Sequence, residues 1–137
     1  MKKTILSLVI ILSLMQMSCS SNSGSNSTDT IQGQWKLVTV SGSFAGIHDS
    51  FNPGLITWTF NATNHTVTVV NNNTNPNLQS VLPTGVYDYH FVNNTDSSPC
   101  EESIEINGNL YNCFTVTNES LILDQAIADG YTVTLIH

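Results

Sequence analysis

The chain has 137 residues, with ten Asp and Glu against three Lys and Arg. Beyond Lys2 and Lys3 the only cation of that kind is Lys36, so the rest of the chain carries a net charge of −9. Phosphate contacts are made by Lys and Arg, so this balance all but excludes a nucleic-acid partner and any electrostatic hold on anionic lipid. Charged residues are 9% of the chain, against about 25% in ordinary domains; sixteen Asn and abundant Thr and Ser stand in their place.

Lys2 and Lys3 precede an apolar run, Ile5 to Met15, broken only by Ser7 and Ser13. A bilayer span needs about 20 apolar residues, whereas this run has the length of a secretory signal's core. The signal closes on Met17-Ser18-Cys19, and Ser20 to Ser27 then turns polar. This junction resembles a bacterial lipobox, with Gln16 where that family carries an aliphatic residue. The resemblance implies cleavage before Cys19 and a lipid anchor, with palmitate among the chains, on Cys19. The alternative is an ordinary cleaved signal, but a free exposed thiol in an oxidising compartment is a liability.

Residues 1–18 therefore read as a lipoprotein signal peptide, 19–30 as a flexible Ser/Asn-rich tether and 31–137 as one domain. The membrane is the expected partner, through the N-terminal lipid anchor in the outer membrane of a bacterial cell envelope. Neutral residues after Cys19 favour a periplasm-facing domain, and a monomer is expected.

Along residues 31–137 apolar residues alternate with polar ones at period two, and no helical stripe of useful length occurs. The spacing predicts strands at Gln34–Val40, Leu55–Phe60, His65–Val70, Val86–Val92, Ser103–Ile106, Leu110–Thr117, Ser120–Leu123 and Tyr131–Ile136. Ile56, Trp58 and Phe60 share one face, as do Tyr87, Tyr89 and Phe91, and again Tyr131, Val133 and Leu135. One-sided faces imply antiparallel strands about a single apolar interior. Turn chemistry separates the strands at Asn52-Pro53-Gly54, Asn61 to Asn64, Asn71 to Asn77, Asn93 to Pro99 and Asn107-Gly108-Asn109. The expected architecture is all-β: an antiparallel eight-stranded up-and-down barrel or a strongly curled sheet. The Phe44 to Phe51 connection is read as a lid over one end or a short helical turn.

Gly33-Gln34-Trp35 opens the first strand as a Gly-x-Trp motif opens the first strand of lipocalins. With Lys36-Leu37-Val38, Gly54 to Phe60, Gly85-Val86-Tyr87-Asp88-Tyr89 and Leu121-Ile122-Leu123-Asp124, the domain resembles the small lipocalin-like lipoproteins of bacteria. In classical lipocalins the Trp packs at the closed end of the barrel, often beneath a basic residue from the last strand. Here the chain ends Leu135-Ile136-His137, so His137 is the one candidate cation. The domain is read as non-enzymatic and without a cofactor. An eight-stranded barrel of this size either fills with side chains or holds one small ligand.

Cys100 and Cys113 remain after lipidation and form the natural disulfide in an oxidising compartment. Two registers compete for them. A two-residue Asn107-Gly108 loop leaves the cysteines on a diagonal of about 7–8 Å. A three-residue loop aligns Ile104, Ile106, Leu110, Phe114 and Val116 as a core face but turns Cys113 away. The four histidines, His48, His65, His90 and His137, show no metal-site spacing. Asp96, Glu101, Glu102 and Glu105 read as a solvated acidic rim.

Trp35, Trp58, Phe60, Tyr87, Tyr89, Phe91 and Tyr131 are the candidate ligand-lining or core residues. A carrier of a small hydrophobic or amphipathic ligand predicts an apolar internal cavity with some of them turned inward. A structural or inhibitory envelope protein has a filled barrel and acts through its surface. No nucleophile elbow, phosphate loop or triad spacing points to an enzyme.

Overall fold

The computed structural model describes residues 31–93, 100, 102–125 and 129–137. The signal, Cys19 and the tether lie outside these residues, as do Asp96, Pro99 and Glu101. The strands are β1 (Gly33–Gly42), β2 (Ile47–Ser50), β3 (Ile56–Asn61), β4 (Thr66–Asn71), β5 (Gly85–Asn93), β6 (Glu102–Ile106), β7 (Asn109–Tyr111), β8 (Cys113–Val116), β9 (Ser120–Asp124) and β10 (Tyr131–Ile136). There is no helix among the described residues. Every ladder is antiparallel, and the strands lie in the order β7-β6-β5-β4-β3-β1-β10-β9-β8, with β2 on β1.

These ten strands make eight staves. β2 and β3 follow one another along a single edge of β1, β2 against Thr39–Gly42 and β3 against Gly33–Lys36. At the corner between them the Phe51 N–H donates to the Val38 carbonyl at 2.9 Å. β7 and β8 are likewise two halves of one stave, the first paired with β6 and the second with β9. β10 returns to pair with β1. The meander thus nearly closes into a barrel, and the eight expected strands correspond to its staves. The described residues supply their own core, from Ile31 to Leu135, and their own closing ladder.

Alternation places the core. β3 buries Ile56, Trp58 and Phe60 and turns Thr57 and Thr59 outward. β1 starts with Trp35 and Leu37 inward and continues with Val40 inward, because the register shifts between Leu37 and Thr39. One extra residue on a strand exchanges its two faces and sharpens its bend.

Three sequence expectations are corrected. The Phe44–Phe51 segment is neither lid nor helical turn: it contains β2, and Phe44 stands 94% exposed in the hairpin turn before it. The Leu110–Thr117 strand is broken at Asn112, whose amide donates to the Gln125 carbonyl at 2.6 Å and whose own carbonyl accepts from Ser103 Oγ at 3.1 Å. Leu110 does not join the core. Asn107 and Gly108 take φ of +51° and +76°, the doubly left-handed turn whose twist suits a two-residue hairpin. That register sets Ile104 opposite Tyr111, burying Tyr111 and leaving Leu110 40% exposed. The break at Asn112 then restores the other parity, so Phe114 and Val116 pack inward from β8.

Candidate binding site

In a meander successive turns fall at alternate ends of the barrel. The turns after β1, β4 and β6 share one end, here called the mouth. Those after β3 and β8 share the other, the base, with Ile31 and His137.

The base is sealed by Trp35. Its indole N–H donates to the Ile31 carbonyl at 2.9 Å, and the His137 ring stacks on it with centroids 3.8 Å apart and planes at 29°. The imidazole Nδ1 lies 3.2 Å from the Gln34 carbonyl, which holds the ring in place. The last residue of the chain thus covers the first tryptophan of the barrel.

The mouth is closed differently. Residues 72–84, between β4 and β5, carry Leu82 into the core at 4% exposure, with Leu78 and Val81 packed against it. Asn71 anchors this plug: its side-chain amide donates to Ser80 Oγ and to the Leu82 carbonyl, each at 2.9 Å. Asn71, Asn73 and Asn75 then form a ladder in which each side-chain oxygen accepts the backbone N–H two residues on, at 3.0 Å. This is Asx-turn chemistry repeated along an asparagine-rich run. Asp49 on β2 ties the plug down from outside, accepting the Gln79 N–H at 2.7 Å. Val81 is held at φ +67°, a conformation costly for a β-branched side chain.

Between plug and base the seven sequence-nominated aromatics all turn toward the core. Trp35, Trp58 and Phe60 are fully buried, Tyr89 is 2% exposed, and Tyr87, Phe91 and Tyr131 are partly buried against the core. Ring contacts run in file from Trp58 to Phe60 (6.3 Å), Tyr89 (5.4 Å), Phe91 (5.8 Å) and Phe114 (5.5 Å), the separations of favourable aromatic packing. A void large enough for water would leave accessible area on its lining. Trp35, Trp58, Phe60, Val67, Val69 and Leu123 have none, so the wall they form encloses no water-sized space.

Among the described residues, two polar atoms inside this wall lack a hydrogen-bond partner: Trp58 Nε1 and Tyr89 Oη. Burial raises the Tyr89 pKa and pushes Tyr111 up to about 12. Ser103 is the buried polar residue among those described.

The remaining candidates sit elsewhere. Cys100 and Cys113 are joined in a disulfide with Cα atoms 5.3 Å apart, closer than the diagonal spacing expected. The reason is the break at Asn112: Cys113 has left the β6 ladder and starts β8, so the bond crosses the seam between those strands. His90 and Glu105 face each other across β5 and β6 at 3.6 Å on the outer surface. No group of three or more metal-ligating side chains converges among the described residues.

The plug residues Leu78, Val81 and Leu82, together with Ile31, Phe51 and Tyr111, were not nominated from the sequence. The readable signal for the plug was an apolar cluster standing inside a long asparagine-rich connection.

No protein-family model matches the chain, and no curated protein or solved structure matches it.

Proposed function

We propose that this protein is an exported envelope lipoprotein, anchored in the outer membrane through acylated Cys19, whose non-enzymatic lipocalin-like barrel carries a small apolar or amphipathic ligand. The observation that carries this reading is the difference between the barrel's ends. The base is sealed by strand-borne Trp35 under His137, an arrangement the lipocalin resemblance anticipates. The mouth is stopped by a loop whose leucines enter the core, and a loop is what can withdraw. Active-site and binding-site closures are drawn from such segments, which have the least ladder hydrogen bonding.

Native mass spectrometry of residues 29–137 purified from the host's periplasm tests this. A small co-purifying mass, lost on denaturation, is the expected result. A bare chain carrying only the Cys100–Cys113 bond refutes a tightly held ligand. It transfers the reading to a filled barrel acting by protein contacts, the alternative favoured by the absence of accessible area on the core side chains.

A further inference from the structure

Resting on that reading, we propose that Trp58 Nε1 and Tyr89 Oη are the recognition point of an interior site for a small neutral molecule: an apolar body with one hydrogen-bond-accepting oxygen, such as a ketone or an ester. An unpaired polar group inside a protein costs about 1–3 kcal/mol, and native interiors hold few of them. The chain satisfies the same groups elsewhere. Trp35 donates to the Ile31 carbonyl and Tyr87 to the Pro83 carbonyl, each at 2.9 Å. Among the described residues, the two that stay unpaired are fully buried or nearly so, and both rings contact Phe60, whose centroid is 6.3 Å from Trp58 and 5.4 Å from Tyr89. The register sets Trp58 between Trp35 on β1 and Val69 on β4, inside the barrel wall.

The chemistry of the pair selects the ligand. An indole N–H only donates and a phenol O–H donates readily, so the complementary group is an acceptor. No buried charged side chain is described beside them, and an unpaired ion in such surroundings is strongly disfavoured. A carboxylate or an ammonium is therefore refused.

Room comes from the plug. Leu78, Val81 and Leu82 leave together when residues 72–84 withdraw, releasing the strain at Val81. Interiors are close-packed, so the ligand is no larger than what it replaces, about eleven side-chain carbons.

The test uses residues 29–137 with 15N-labelled indoles, titrated with methyl heptyl ketone, nonane and nonanoate. The ketone is expected to move the Trp58 indole N–H resonance downfield and leave that of Trp35, already bonded to Ile31, in place. Tyr89→Phe is expected to weaken the ketone about fivefold to tenfold, the worth of one neutral hydrogen bond, and to leave nonane unchanged. It removes only an unpaired hydroxyl, so its melting temperature should equal or exceed that of the parent; Trp58→Phe is the second variant for affinity.

Ketone and nonane binding alike, indifferent to both substitutions, overturns the polar recognition point while the carrier reading stands. Nonanoate binding more tightly than the ketone overturns the neutral specificity. Binding of none of the three, with a bare chain from the host, overturns both readings together.

Discussion

Gly33 and Gly42 open and close β1 with the same φ of +117°, but in unlike surroundings. A Cβ on Gly33 would meet nothing within 4 Å, whereas one on Gly42 would run into the Gly130 carbonyl, which accepts the Ser43 N–H at 2.9 Å. Both positions disfavour a side chain by about 1–3 kcal/mol through backbone conformation alone. Gly42→Ala must also displace Gly130, so it is expected to lower the urea midpoint clearly more than Gly33→Ala. Equal losses would mean that the β1–β10 end yields freely. Gly33 was readable in the sequence as part of a Gly-x-Trp opening. Gly42 was not, because what it avoids is a carbonyl far along the chain. The same holds for Trp58 and Tyr89: their inward direction follows from alternation, but a missing hydrogen-bond partner belongs to three dimensions.

Among the elements, the β6–β8 seam is where the barrel depends on something other than a ladder. β7 leaves β6 at Tyr111, β8 joins β9 at Cys113, and the Cys100–Cys113 bond spans the gap between residues 13 positions apart in the chain. A loop of about this length is stabilised by roughly 3 kcal/mol in the chain-entropy account. Replacing both cysteines by serine is expected to lower stability by about 2–4 kcal/mol, with amide exchange rising first in β6 and β8. Uniform loss of protection would show that the seam is no weaker than the rest. Both loop registers weighed from the sequence contained part of the answer. Asn107-Gly108 selects the two-residue turn, and the Phe114–Val116 face is recovered after the break. Sequence periodicity misses such a break because one unpaired residue exchanges the faces of everything after it.

Across the whole molecule, burial of phenols gives a stability that depends on alkaline pH. Tyr111 is held up to about 12 from an ordinary value of 10.0 by desolvation, and Tyr89 is shifted in the same direction. The folded protein therefore keeps a proton that the unfolded chain releases. The contribution of Tyr111 is intact below pH 10 and is lost as pH rises from 10 towards 12, at up to ~1.4 kcal/mol per pH unit. Urea midpoints measured over this range should fall, and Tyr111→Phe should flatten the fall. An unchanged slope in that variant would place the alkaline sensitivity elsewhere.

Some of this molecule is decided by local chemistry. Period-two alternation, turn residues and the lack of any helical stripe are enough for an antiparallel all-β barrel, because side-chain direction along a strand is fixed by the pleat. The inward aromatics follow from the same rule. What only the tertiary structure decided is the plug of Leu82 and its neighbours in the mouth and, for the expected pairs His137 with Trp35 and Cys100 with Cys113, the geometry that joins them: a ring stack at the base and a bond across the β6–β8 seam. The plug and the ring stack arise because a barrel made of short staves must cover the two ends that its ladders leave open, and the bond arises because β7 pairs with β6 while β8 pairs with β9.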